Sequence, residues 1–317
     1  LAVELHGFTI AQITDIHVGH TIKAGYVHAV VEAVNRLGAD MVAITGDLVN
    51  GSVAELRRHV EPLARLASRH GTFFVTDQEG FWTPKNRINR VKVGGFYGNM
   101  YGYTSVTDES DAAMEPPMVW ITNEKDRSPA ELIWVPNNAW GNLGGSLLNL
   151  SYGTGKAFLV PHEEVNGKWQ GAVCELPMPA FATGIMRGRF GSDGALYTCG
   201  MFAWAGNATA AGGFHRIRRG ERAAQVPLMV KAAKGTMSVT FSDLIDPTDC
   251  AMKVWSLKRT KNYGSKHYDE HELTIRGVKL SDDKRTVTLD IPDLAPTWCY
   301  ELKIGDRVLH GTIHELK

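Results

Sequence analysis

With 317 residues, 44% hydrophobic and 21% charged, the chain is long enough for two or three domains and has the composition of an ordinary globular protein. Lys plus Arg and Asp plus Glu stand at 34 each, so bulk attraction to nucleic acid or anionic membrane is excluded as an organising principle, and no nucleic-acid partner is expected. No apolar run reaches the ~18 residues of a membrane span, so no transmembrane segment is expected either. The chain opens on Leu1 rather than Met, which is compatible with a signal or anchor having preceded it.

The first 76 residues alternate strands with amphipathic helices. Phe8 to Ile16 reads as a buried strand running into Asp15-Ile16-His17. A period of two places Asp15 and His17 on one side with Ile16 toward the core. Val27, Val30, Val31, Val34 and Leu37 then recur at helical spacing, and Gly38 supplies a stop. Asp40 to Thr45 reads as a second strand, apolar enough to be covered on both faces, and it ends in Gly46-Asp47. Ser52 to Glu55 is a capping box opening a second helix, with Leu56, Val60, Leu63 and Leu66 as its stripe. Pro62 predicts a kink or a break there, and Thr72 to Thr76 is the third strand.

Such a run winds into a parallel sheet with Asp15, His17 and Asp47 beyond the carboxyl ends of its strands, the usual ligand edge. Carboxylates with an imidazole suit Mn, Fe or Zn; the plainer alternative is that each Asp caps the helix that follows it. Thr14-Asp15-Ile16-His17 and Ile44-Thr45-Gly46-Asp47-Leu48-Val49 resemble the first two signatures of the calcineurin-like metallophosphoesterases. The resemblance implies that Asp15 and His17 bind one metal and that Asp47 bridges to a second, with a phosphate ester as substrate. It also calls for Gly-Asn-His-Glu or Gly-Asn-His-Asp after the third strand, where the chain has Asp77-Gln78-Glu79-Gly80. A later Gly-His-x-His is missing too, since His310-Gly311-Thr312-Ile313-His314 shares its letters but not its spacing. Asp77 and Glu79 are the alternative ligands on offer. The expectation is therefore an incomplete dinuclear site, with one weak metal position and weak or absent activity.

From Asp77 to residue 223 the chain reads as short strands with Gly and aromatic punctuation, a pattern that suits a propeller or a sandwich. Ser192-Asp193-Gly194 marks a hairpin between Gly184–Phe190 and Ala195–Cys199. Trp82, Trp134, Trp140 and Trp204 read as core. Phe81-Trp82-Thr83-Pro84, Gly94 to Gly98, Leu150-Ser151-Tyr152-Gly153, Phe202 to Asn207 and Gly212 to Arg216 resemble the last blades of secreted propeller proteins related to sorbosone and glucose dehydrogenases. That likeness implies an extracytoplasmic location. No catalytic residue is carried over from it, because the quinone-binding blades have no counterpart here.

Residues 224 to 317 alternate at period two through Val239 and Phe241, Val287 to Ile291, and Trp298 to Ile304. The phase change between Leu273-Ile275 and Val278-Leu280, across Gly277, suggests a bulge, and Gly305-Asp306 a tight hairpin. These strands predict an immunoglobulin-like sandwich. Lys258 to Tyr268 is a basic, aromatic loop that suits polysaccharide or nucleic acid, or simple solvation. Cys174, Cys199, Cys250 and Cys299 form no Cys-x-x-Cys pair and read as free thiols, with a Cys174–Cys199 bridge as the alternative in an oxidising compartment.

The fold class that results is an α/β three-stranded parallel unit (1–76) followed by all-β structure: partial propeller-like blades (77–223) and an Ig-like sandwich (224–317). The simplest account is a composite joined at Val75-Thr76-Asp77. Three functions are compatible with it: a phosphoesterase with residual metal binding, a secreted binding or scaffolding module, and a dehydrogenase-related propeller fragment.

Overall fold

The computed structural model describes residues 7–45, 48–49, 53–69, 72–75, 78–90, 97, 115–203 and 208–317. Asp47, Ser52, Asp77, Trp204 and most of the Gly94 to Gly98 motif lie outside the described residues. By contact, the chain divides into one unit of residues 1–77 with 91–116 and another of residues 78–90 with 117–317.

In the first unit, β1 (Ile10–Thr14), β2 (Met41–Thr45) and β3 (Thr72–Val75) form a sheet in that order. Both pairings are parallel, Ile10 to Thr14 against Met41 to Thr45 and Val42 to Thr45 against Thr72 to Val75. Helix α1 (Ala24–Leu37) stops at Gly38, whose left-handed backbone (φ 59°) returns its N–H to the Asn35 carbonyl. Helix α2 (Val53–Val60) gives way to a 3₁₀ turn over Glu61–Arg65, with Pro62 at the switch as its missing N–H requires. Asn35 ties the two helical segments together, donating to the Arg65 carbonyl and accepting from the Ala67 N–H, each at 2.8 Å.

Val27, Val31, Val34 and Leu63 pack with Ala11, Ile13, Val42 and Ile44 into one core. Leu37, the last member of the expected stripe, is 70% exposed at the helix end. Burial along β1 alternates, with Ala11 and Ile13 inside and Ile10, Gln12 and Thr14 outside. On β2, the strand expected to be covered on both faces, Val42 and Ile44 are buried and Met41 and Ala43 half-buried. With strands in sequential order, crossovers of one hand bring α1 and α2 to the same side, where they touch each other.

In the second unit every described strand pairing is antiparallel, and its one 3₁₀ turn among the described residues spans Gly141–Leu143. Its strands are β4 (Asn86–Ile88), β5 (Val119–Ile121), β6 (Pro129–Trp134), β7 (Leu147–Ser151), β8 (Ala157–Leu159), β9 (His162–Val165) and β10 (Lys168–Glu175). There follow β11 (Arg187–Phe190), β12 (Leu196–Met201), β13 (Gly212–Ile217), β14 (Pro227–Ala233), β15 (Thr236–Phe241) and β16 (Ala251–Ser256). The last five are β17 (Tyr268–Leu273), β18 (Gly277–Leu280), β19 (Thr286–Asp290), β20 (Thr297–Ile304) and β21 (Arg307–Ile313).

Nine strands make one sheet, ordered β17-β16-β20-β21-β10-β8-β7-β6 with β9 on β10. Its hinge of connectivity is the β10–β21 pairing, Gly171 to Cys174 against Thr312 to Leu309. A four-stranded sheet, β14-β15-β19-β18, shares a core with it through Val239, Phe241 and Leu289 on one side and Met252, Tyr300 and Leu302 on the other. A third sheet, β11-β12-β13, closes a separate core with Leu148, Leu150, Ile185 and Leu196. Each described sheet is open rather than a closed barrel.

Two hairpins fall where the sequence puts them. Phe190 pairs with Leu196 around Ser192-Asp193-Gly194, and Ile304 pairs with Arg307 around Gly305-Asp306. The phase change at Gly277 has a different cause from the expected bulge. Leu273 ends β17 in the large sheet and Gly277 begins β18 in the four-stranded one, so the chain changes sheet there. Trp140 is buried, but Trp134 is 57% exposed because β6 is the edge of its sheet. All four cysteines are free, Cys174 and Cys299 buried and Cys199 exposed, so the Cys174–Cys199 bridge does not form. Among the described residues no helix is long and apolar enough to cross a membrane.

Candidate functional site

Asp15 and His17 follow directly on the last residue of β1. Between and after them Ile16 and Val18 are buried in the α/β core, while Asp15 is exposed and His17 half-buried. The inward turn of Ile16 is as the alternation predicts, but its backbone origin is not a continued strand. Asp15 (φ 53°) and His17 (φ 52°) both adopt the left-handed region. Asp and His are among the few non-glycine types that enter it readily, at a cost of about 1 kcal/mol or more each.

The segment is fixed from both sides. The Thr14 hydroxyl donates to Asp15 Oδ2. Val18 N–H donates to the Leu48 carbonyl at 2.9 Å, and Val18 bridges to both Ile22 and Val49. Thr14 is paired with Thr45, so the exits of β1 and β2 are neighbours at the sheet's carboxyl edge. Asp47 itself lies outside the described residues, between Thr45 and Leu48 in sequence. Among the described residues no three His, Cys, Asp or Glu side chains converge as a metal cage. Asp15 and His17 supply a hard carboxylate and an imidazole, a donor set that fits Mn, Fe or Zn once a third ligand joins.

The other residues weighed from the sequence have different partners. Glu79 belongs to the second unit, where it pairs with Lys85 at 3.3 Å and accepts from the Asn123 amide. His310 and His314, the near-match to Gly-His-x-His, are structural. His310 Nε2 sits 3.1 Å from the Trp120 carbonyl and 3.3 Å from the Thr122 N–H. Burial, with the Lys125 charge adding to it, pulls its pKa down to about 3 and keeps the ring neutral. His314 Nε2 lies 2.7 Å from the Pro117 carbonyl.

Sequence reasoning missed a buried polar network. Asp126 accepts from Asn149 at 2.7 Å, Ser151 at 2.5 Å and the Ser128 N–H at 3.3 Å. Burial pushes its carboxyl up to about 6 despite those hydrogen bonds, which pull the other way. Asn86 braces the same turn, its amide reaching the Asp126 and Arg127 carbonyls at 2.9 and 2.8 Å. The only sequence signal was an Asp among loop residues, which surface turns share.

Comparison with known proteins finds similarity to metallophosphoesterases over about a quarter of the chain. A transmembrane protein with metallophosphoesterase domain from Danio rerio is 35% identical over 83 residues, 26% of this chain and 19% of its own length. Its counterpart from Bos taurus is 36% identical over 83 residues, again 26% and 19%. A metallophosphoesterase from Helicobacter pylori is 40% identical over 73 residues, 23% of this chain and 20% of its own length. The chain thus spans about a fifth of the length of these curated relatives. No family model matches the chain. No solved structure matches it.

Proposed function

We propose that residues 1–76 are the opening α/β segment of a metallophosphoesterase, with Asp15, His17 and Asp47 as ligands of a single, weak divalent-metal site (Mn, Fe or Zn). The carrying observation is the 35–40% identity to proteins of that name, over stretches about as long as this segment. Further support comes from the left-handed Asp15 and His17 at the end of β1, locked to the exit of β2 through Val18 and Leu48. A bound metal supplies Lewis-acid stabilisation of phosphoryl charge and a water of lowered pKa. Asp15 and His17 would orient it, and the Thr14 hydroxyl would steady the Asp15 carboxylate.

Glu79 is turned to Lys85 and Asn123, which supports reading the third signature as missing rather than replaced. Electrostatic stabilisation of phosphoryl transfer needs all its charges placed in advance, so hydrolysis of a phosphate ester is expected to be weak or absent. The same proposal joins this segment after residue 76 to propeller-type blades (77–223) and an Ig-like sandwich (224–317) of extracytoplasmic origin. The change of contact grouping between residues 77 and 78 supports the first of these joins.

Calorimetric titration of the full chain with Mn²⁺ or Zn²⁺ is the test. One weak site, lost in Asp15→Asn and in Asp47→Asn, is expected, with bis(p-nitrophenyl) phosphate turnover near background. Two tight sites, or robust turnover abolished by Asp47→Asn, would overturn the reading.

A further inference from the structure

The sheet β11-β12-β13 spends only one of its faces on a core. Phe190, Leu196 and Ile217 pack inward with Leu150 and Ile185. Strand alternation then turns Arg187, Arg189, Tyr197, Cys199, Phe214 and Arg216 to the other face. Register sets these six in two rows across the sheet: Arg189 beside Tyr197 beside Arg216, and Arg187 beside Cys199 beside Phe214. Tyr197 is half-buried and the other five are exposed, Phe214 at 72%.

A sheet face that meets only water carries polar side chains of mixed charge. This one carries rings and arginines. Tyr197 and Phe214 are stacked, ring centres 5.9 Å apart and planes 28° from parallel. The Tyr197 hydroxyl donates to Asp193 at 2.9 Å, which fixes the ring. The Arg216 guanidinium stands 5.6 Å from the centre of that ring, and the Arg218 charge is felt at its hydroxyl.

The whole-chain balance of 34 basic and 34 acidic residues hides a local excess here. Two arginines have carboxylate partners, Arg189 with Glu131 and Arg216 with Asp193. Arg187 and Arg218 are exposed and have no carboxylate partner among the described residues.

We propose that this face binds single-stranded nucleic acid. Arginine matches phosphate oxygens two at a time, and exposed ion pairs such as Arg189–Glu131 contribute too little to resist exchange for phosphate. The exposed ring of Phe214, backed by Tyr197, offers a platform on which an unpaired base of any kind can stack. A duplex hides its base faces in its own stack, so it reaches the arginines but not the rings. A polyanion without bases likewise leaves Phe214 bare. The rings therefore select for single strands, and the arginines supply the attraction.

The test is fluorescence-anisotropy titration of the full chain with labelled deoxythymidine and uridine oligomers of about 15 nucleotides, a length that spans a typical single-strand site. A duplex of equal length, heparin and polyglutamate serve as competitors. Single strands should bind saturably and displace best, and affinity should fall as salt rises. Phe214→Ala should weaken binding about tenfold and Phe214→Trp should keep it. Arg187→Gln and Arg218→Gln should each lower the slope of log affinity against log salt by about 0.7. Phe214 is so exposed that its alanine variant should keep the wild-type unfolding midpoint, so lost binding reads on the face and not on folding. Failure of either oligomer to saturate at low salt overturns the proposal. So does competition by duplex, heparin or polyglutamate that equals the single strands, or binding indifferent to Phe214→Ala. A dimer that Phe214→Ala dissociates would overturn it too, since the face would then be a contact between copies of the chain.

Discussion

Two buried titratable residues of the β unit act in opposite directions as pH changes. Asp126 has its pKa raised from 3.8 to about 6, chiefly by burial. Between those values the folded chain holds a proton that the unfolded chain has lost, so this contribution is present below 3.8 and disappears as pH rises through about 6. His310 has its pKa lowered from 6.5 to about 3, again chiefly by burial. Its contribution is present above 6.5 and is lost as pH falls toward 3, because only the unfolded chain takes up the proton. Each slope approaches ~1.4 kcal/mol per pH unit, and they overlap and nearly cancel between about pH 4 and 6. His310→Gln, which keeps a donor for the Trp120 carbonyl, should unmask the Asp126 slope, with stability rising as pH falls through that window. Asp126→Asn should unmask the reverse. Urea unfolding of both variants across the window checks this, and parallel profiles for the two would refute it.

Elements here are set as much by close backbone approach as by periodicity. Strand β12 runs between β11 and β13, and the Gly184 N–H donates to the Met201 carbonyl at its end. At Gly200 this brings the Gly184 carbonyl oxygen to 1.6 Å from where a Cβ would stand. No side-chain adjustment relieves a clash with backbone, so β12 must shift as a whole. Gly200→Ala is expected to cost about 2–5 kcal/mol in chemical denaturation. A cost near zero would mean that β12 and residue 184 are not in this register. The edge position of β6 works in the other direction: it leaves Leu132 and Trp134 exposed at 42% and 57% on an apolar strand.

At the scale of the molecule, the two units differ in how completely they bury their sheets. Among its described residues the α/β unit has three strands, with helices on one side and Ile10 56% exposed on the other. The β unit instead sets its two largest sheets against a shared core in which Val239, Phe241, Leu289, Leu302 and Ile304 are fully buried. Local opening follows buried apolar contact, so the first unit should open at lower free energy. Limited trypsin treatment is expected to cut at Arg57, Arg58, Arg65 or Arg69 well before any site in residues 224–317. Equal protection of both units would refute this difference and favour a chain that evolved as one piece.

What the sequence determined by itself was what has a local cause. Gly38 ends α1 because it tolerates left-handed backbone, Pro62 splits α2 because it lacks an N–H, and the turns at 192–194 and 305–306 fold because their residues suit tight reversals. The place of Asp15 and His17 just past a strand end was legible for a similar reason, from the apolar run that stops before them. Partnership was not legible. A period-two pattern is the same whichever strand lies alongside, so neither the β10–β21 pairing, some 140 residues apart, nor the change of sheet between Leu273 and Gly277 could be read from it. Only the tertiary structure decided that Trp134 lies on an edge, that His310 serves the Trp120 backbone and that Glu79 faces Lys85. In each case a side chain's role follows from which distant segment is packed beside it, and that is a property of the assembled core.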